Sequence, residues 1–248
     1  MRGLHGLCRR LPDGRDAGDD WRIGQGGFRL DWTPSTRDAV TVQGDLYHAG
    51  FDQNFQLPKL APPYSTHQLA PVKASGGGLQ ARWERRSSAT STMALQGYYQ
   101  YEDRQDPLYI ADLDTFDLDF QHSFALGDRQ EWVWGLGYRM NRDRFTDTTI
   151  SSVRPERVTT ELWSAFMQSQ VDLIPDRLRL TGGVKLEHND FTGWEWQPSL
   201  RILWTPHPDH RLWAAVSHAV RTPSRGEWDA ARVYLGALAP SPSSANLP

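Results

Sequence analysis

The amino-acid sequence predicts an all-β protein, an antiparallel up-and-down transmembrane β-barrel to which this chain contributes about ten strands. Three observations carry that expectation. Apolar and polar residues alternate with a period of two along most of the chain, where a helix would repeat about every 3.6 residues. The alternating segments are long. The connections between them are short and longer by turns.

Ten segments show the alternation, at roughly 20–33, 38–50, 76–87, 91–103, 113–126, 131–145, 158–174, 178–190, 195–205 and 211–221. Their usual length of 11–15 residues exceeds the common strand of about 5–6. It suits a tilted strand, which needs about 9–11 residues to cross a bilayer. In the first segment and at the start of the third, GQGGF (24–28) and SGGG (75–78) are glycine-rich like phosphate loops, but neither precedes a helix whose N-terminus could face a phosphate. They fit strand glycines where a sheet bends or packs closely. In the fifth, Phe116, Leu118, Phe120, His122, Phe124 and Leu126 share one face, and Asp117, Asp119, Gln121 and Ser123 the other. The sixth repeats this with Trp132, Trp134, Leu136, Tyr138 and Met140, and the ninth with Trp196, Leu200, Ile202 and Trp204 against Gln197, Ser199 and Arg201.

After the odd-numbered segments the connections are short: PSTR, SSA, GDRQ, PDR and PHPDH. After the even-numbered ones they are mostly longer: the stretch 51–75, RQDPLYIA, TDTTISSVRPER and the brief FTGW. Tight turns at one end and longer loops at the other are the asymmetry of outer-membrane barrels. Trp32, Trp132, Trp204 and Trp213 each lie within about four residues of a short turn, while Tyr47, Tyr99, Tyr101 and Tyr138 lie nearer the long loops. A lipid-facing girdle of Trp32, Trp132, Trp204 and Trp213 is therefore expected, with the polar alternation facing a lumen. The competing fold is a soluble sandwich or lipocalin-like barrel, which would have to bury the same aromatic face in a core.

Composition narrows the function. The hydrophobic fraction is 38% without Gly, low for a globular protein of this size, where roughly 45–50% is typical if Gly is counted, yet there are 11 Trp, 8 Tyr and 9 Phe among 248 residues. A net charge of −3 from 27 basic and 30 acidic residues speaks against a nucleic-acid partner. Cys8 is the only cysteine, so no disulfide framework and no cysteine metal site is expected. No run of 18 apolar residues exists, so no transmembrane helix is expected. Residues 1–19 have no apolar stretch of the kind a secretory signal needs and read as irregular, 20–221 as partial barrel, and 222–248 as an extracellular loop or disordered tail.

The candidate chemical constellations are weak. His207 and His210 flank a short turn without a third metal ligand nearby, and Glu187–Asp190 (EHND) reads as a hydrated loop rim. His122 beside Ser123 cannot form a catalytic pair, because adjacent strand residues point to opposite faces. An enzyme would need a partner for His122 from elsewhere; the expectation is no catalytic residue, no metal site and no cofactor.

The stretch EHNDFTGWEWQPSLRILWTPHPDHRLWAAVSHAVRTPSR (187–225) resembles the later barrel strands of TonB-dependent outer-membrane receptors. Trp196, Pro198, Ser199, Arg201, Trp204 and Pro206 match a family strand reading roughly W-x-P-S-x-R followed by W-x-P. Leu212, Trp213, Ala214, Ser217, Ala219, Arg221 and Pro223 match the next, and the resemblance extends over about 20–225. It implies a 22-strand-type barrel around a plug, of which this chain would be a fragment without recognisable plug, TonB box or signal sequence, not transport-competent alone. It further implies outer-membrane lipid as partner, TonB acting only through the plug, and active uptake of a scarce nutrient, foremost a ferric siderophore. A general porin is the alternative. Ligand contacts would come from lumen-facing or loop residues: the aromatics Tyr47, Tyr64, Tyr98, Tyr109 and Trp194, and Arg104, Arg142 and Arg154 for an anionic siderophore.

Overall fold

The structure is a computed structural model that describes residues 2–5, 20–59, 61–148, 151–234 and 237–239. Period-2 alternation resolves into ten long strands: β2 (Trp21–Trp32), β3 (Asp38–Pro58), β4 (Ser65–Ser88), β5 (Ser91–Gln105), β6 (Ile110–Leu126), β7 (Gln130–Thr146), β9 (Arg157–Ile174), β10 (Leu178–Asn189), β11 (Gly193–His207) and β12 (His210–Ser217). A short β1 (Arg2–His5) precedes them, and β8 (Ser151–Val153) interrupts the loop between β7 and β9. The main sheet runs β1-β2-β3-β4-β5-β6-β7-β9-β10-β11-β12, each long strand antiparallel to its sequence neighbour. This is an up-and-down meander, and each of the ten predicted segments has its strand. Of residues 1–19, expected to be irregular, Arg2–His5 form β1 and 6–19 lie outside the described residues.

Pairing register gives the sheet two chemically distinct faces. Leu180 pairs with Ile202, Gly182 with Leu200 and Leu186 with Trp196, so one face carries an apolar row across β10 and β11. Phe120 opposite Leu136 and Phe116 opposite Met140 continue it on β6 and β7. This face is not buried: Trp196 is 63% and Leu200 48% exposed. A soluble sheet would cover such a surface, because contiguous apolar patches beyond a few hundred Å² are rare on soluble monomers. The opposite face carries Gln43 bonded to Gln80, Thr115 to Asn141 and Arg139 to Asp117. Among the described residues no helix is long and apolar enough to cross a membrane.

The turns also follow prediction at one end. Residues 33–37, 89–90, 127–129, 175–177 and 208–209 connect strands there. At the other end the structure differs. The stretch 51–75, expected as a long loop, continues β3 to Pro58 and begins β4 at Ser65, and the two strands stay paired from Asp38↔Arg85 to Pro58↔Ser65. The polar-side face of this extension supplies the cluster of buried apolar side chains, with Phe55, Ala70 and Val72 closed in by Phe51 and Leu57. Burial of these groups stabilises the extension by roughly 1.5–3 kcal/mol per large side chain, so a segment that reads as loop stays extended.

Register corrects four placements. Trp213 pairs with Leu203 and lies on the polar face, opposite to Trp204. The cause is an irregularity between Trp204 and His207: His207 pairs with His210, but Trp204 pairs with Leu212. A one-residue slip turns every later side chain over. Trp32, Trp132 and Trp204 remain on the apolar face. Trp194, expected near ligand, pairs with His188 two residues from Trp196 on the apolar face. Arg142, two residues beyond Met140, is likewise on the apolar side, opposite Asp114. Tyr47 leaves the set of Tyr99, Tyr101 and Tyr138 and sits on the polar face opposite Gly76.

Candidate ligand site at the long-loop end

The polar-face ends of β5, β6, β7, β9 and β10 surround a cavity of about 700 Å³. Alternation places Arg104, Leu113, Asn141, Asp143, Phe145, Thr160, Leu162 and Asn189 on this one face, and all line it. Two short loops are shaped by side chains that bond their own backbone. Asp106 Oδ1 accepts from the amides of Leu108 (2.8 Å) and Tyr109 (3.0 Å), while its Oδ2 accepts from Arg104 Nε at 3.0 Å. The loop thereby brings Tyr109 beneath Arg104, whose guanidinium carbon lies 5.5 Å from the ring centroid. Asn189 Oδ1 does the same for the amides of Phe191 and Thr192, both at 2.9 Å.

The cavity is covered by the segment after β12. Thr222, Pro223, Ser224 and Arg225 line it, and α1 (Arg225–Trp228) leads into β13 (Ala230–Tyr234), which pairs with β8 and with β14 (Ala237–Ala239). Arg225 is the fastening. Its Nε donates to Asp143 Oδ2 at 2.9 Å, its Nη2 to the Pro155 carbonyl at 2.7 Å, and a third contact runs to Asp229. Arg225 and Asp143 side chains are only 10% and 9% exposed, so this is a buried pair. Trp228 stacks edge-on against Phe191 at 5.8 Å. In the approach to α1, Glu227 accepts from the backbone and hydroxyl of Ser224 (2.9 and 3.1 Å) and pairs with Arg221. Arg221, ahead of the Ser224 bonds, holds the Glu227 carboxyl down to about 2.

What this site can do follows from its ledger. The cavity's guanidiniums are committed to carboxylates: Arg104 to Asp106, Arg139 to Asp117 and Arg225 to Asp143. Asp143 Oδ1 and Asp117 Oδ1 are buried with no hydrogen-bond partner. The arrangement therefore offers aromatic walls and the exposed flanks of paired cations, and suits a ligand that brings flat rings and anionic groups.

Of the sequence-predicted contacts, Arg104 and Tyr109 meet here. Tyr47 and Tyr98 share a separate recess of about 320 Å³ lower on the same face, floored by Gly77 and Gly78. Arg154 stands at the rim, bonded to Asp147 and 3.4 Å from Glu156, which raises its pKa. Tyr64 closes the β3–β4 turn, its amide bonded to the Ala61 carbonyl. Sequence reasoning missed Asp143, Phe191 and Arg225; the signal available was Ser224-x-x-Glu227, a helix-start pattern inside the stretch read as tail. His207 and His210 rings stand 5.8 Å apart across their turn. Among the described residues no group of three His, Cys, Asp or Glu could hold a metal ion.

Comparison with known proteins finds the same architecture. The siderophore receptor PirA of Pseudomonas aeruginosa superposes with a TM-score of 0.63 at 17% identity over 83% of this chain and 34% of that one. The copper transporter OprC gives 0.67 at 14% identity, over 92% and 41%. A variant of the ferric enterobactin receptor PfeA from Pseudomonas aeruginosa, solved with enterobactin, gives 0.63 at 17%, over 88% and 36%. At these identities the likeness is one of fold, and the chain spans about a third to two fifths of the length of these proteins. A search of curated proteins finds no match. The model of the TonB dependent receptor-like β-barrel family matches residues 9–247. With the meander, the exposed apolar face and the polar opposite face, this makes the chain a member of the TonB-dependent receptor family, comprising part of its β-barrel.

Proposed function

We propose that the chain forms part of the wall and mouth of an outer-membrane receptor that takes up a scarce metal-bearing ligand, foremost a ferric siderophore. The observation that carries this reading is the covered cavity on the polar face at the long-loop end, in a chain of the TonB-dependent receptor family. The solved relatives include receptors for siderophores and a copper transporter, which supports the ligand class. Aromatic groups such as Tyr109, Phe145 and Phe191 would stack on catecholate or similar rings, and Arg104 in the cavity and Arg154 at its rim, both partly exposed, would meet their anionic oxygens. Outer-membrane lipid covers the apolar face, and TonB acts through a plug inside the closed barrel.

The same reading holds that residues 1–248 alone do not transport. Among the described residues the main sheet ends in β1 and β12, and a bilayer does not accept unpaired strand edges. The test is uptake of radiolabelled ferric catecholate, hydroxamate and citrate chelates by iron-starved cells with and without the intact gene. Loss of uptake of one chelate class on deletion, unrestored by residues 1–248 alone, is the expected result. Unchanged uptake of all three would sink the siderophore reading.

A further inference from the structure

One polar group stands out on the apolar face. Ser91 begins β5 beside the short 89–90 turn, and its Oγ lies 2.9 Å from His122 Nε2 on β6. On the other side of the ring, Trp134 Nε1 donates to His122 Nδ1 at 3.2 Å. His122 therefore has a serine partner that strand alternation denied it in Ser123, from a different strand and on the same face.

The direction of these bonds decides what the group is. An indole N–H can only donate, so His122 Nδ1 must be the accepting nitrogen. In the neutral ring the hydrogen is then on Nε2, which donates to Ser91 Oγ. A nucleophilic serine needs the reverse, a lone pair on the histidine nitrogen that takes the hydroxyl proton. The array is inverted for catalysis. It is a one-way relay, Trp134 to His122 to Ser91, and it leaves one donor over: the Ser91 hydroxyl hydrogen, for which no acceptor stands among the described residues.

That donor has a defined setting. Trp132 and Phe124 pair on the same face beside it, at the depth of the short-turn aromatic girdle. Arg85 lies on the same face, opposite Met93, which is two residues along β5 from Ser91. Arg85 is only loosely held: Asp38 Oδ1 is 3.6 Å from its Nη1 and already accepts from Trp83 at 3.1 Å, while Asp38 Oδ2 accepts from Ser35 at 2.6 Å. A cation and an oriented hydroxyl, set where headgroups begin, are complementary to a phosphodiester.

We infer that Ser91 and Arg85 form a binding site for the phosphodiester of a phospholipid in the leaflet at the short-turn side, with His122 and Trp134 aiming the hydroxyl. This rests on the membrane reading of the apolar face. A hydrogen bond to a charged acceptor aims the lipid, and the tryptophans beside it flank its glycerol region.

The test uses the full chain in detergent micelles, titrated with phosphatidylglycerol or, as a phosphate-free control, diacylglycerol, and read by native mass spectrometry. Ser91→Ala and Arg85→Gln should each weaken phosphatidylglycerol retention about fivefold or more and leave diacylglycerol unchanged. Trp134→Phe should release the ring, seen as loss of the single Nε2–H tautomer in imidazole nitrogen NMR, with a smaller loss of lipid. Equal retention by wild type and Ser91→Ala, or equal loss of both lipids, overturns the site. Lysophospholipid formed by wild type and not by Ser91→Ala overturns it in favour of a nucleophile. Flotation with vesicles separates the two readings. The flotation is run with this segment inside its complete barrel, whose edges are paired: a barrel that floats while Ser91→Ala binds normally removes only the site, and one that does not float removes the membrane reading and the site with it.

Discussion

At the scale of single residues, glycines under aromatic rings carry much of the packing. Tyr47 covers Gly76, where an added Cβ would meet its ring at 2.9 Å and the Tyr101 carbonyl at 2.6 Å. Phe166 covers Gly135 in the same way, with a Cβ at 2.5 Å from both its ring and the Phe120 carbonyl. A ring can swing aside, but a sheet carbonyl cannot without breaking its ladder. Gly135→Ala should therefore destabilise the folded chain by about 1–3 kcal/mol, whereas Gly24→Ala, with nothing within 4 Å, should stay within about 0.5 kcal/mol. Urea unfolding in micelles, followed by tryptophan fluorescence, measures both. The covering rings were not legible in the sequence, because which strand a glycine faces depends on register. Arg142 and Trp194 show the opposite case. Their faces follow from simple alternation with Met140 and Trp196, and nearness to a loop is no guide to which way a side chain points.

At the scale of elements, the segment from Thr222 to Asp229 is the part of the site least visible in sequence. No alternation or helical period marks it, since it is fastened by side chains from distant strands. Removing the cation from a buried pair leaves Asp143 charged and uncompensated, at a cost of about 3–5 kcal/mol. Arg225→Ala should thus free the segment and raise protease cleavage near Arg221 at least about a hundredfold. Asp143→Asn, which keeps an acceptor for Arg225, should do less. The approach to α1 carries a second, pH-dependent fastening. Glu227 is depressed from 4.5 to about 2 by Arg221 and Ser224, so its contribution is fully present above about pH 4.5 and is lost as pH falls towards 2. Because Glu227 is exposed, this loosening is small beside the loss of Arg225. Cleavage near Arg221 in wild type should rise modestly across that window, and Glu227→Gln should flatten the rise. By contrast the ten strands were legible one by one, because each needs only a local period of two. The exceptions sit at the hairpin irregularity that turns Trp213 over and at the β3–β4 extension, where Phe55 and Val72 are buried by each other.

At the scale of the whole molecule, the two faces set the energetics of insertion, and they can be compared at one depth. Leu200 and Ser199 are neighbours on β11, Leu200 opposite Gly182 on the apolar face and Ser199 opposite Gly183 on the polar one. If the apolar face meets lipid, an arginine at Leu200 must bring its charge into hydrocarbon, at about 2–4 kcal/mol near the bilayer midplane. An arginine at Ser199 enters a wet surface that already holds Arg201 and Gln197, and should cost less than about 1 kcal/mol. A soluble sheet reverses the logic. There an exposed Leu200→Arg would be neutral and would raise solubility, since it removes part of an exposed apolar patch. Complete barrels carrying each substitution in this segment, unfolded in urea from the same vesicles, separate these outcomes. Selective loss in Leu200→Arg is the expected result, and equal stability of the two would mean that neither face of the sheet lies against hydrocarbon.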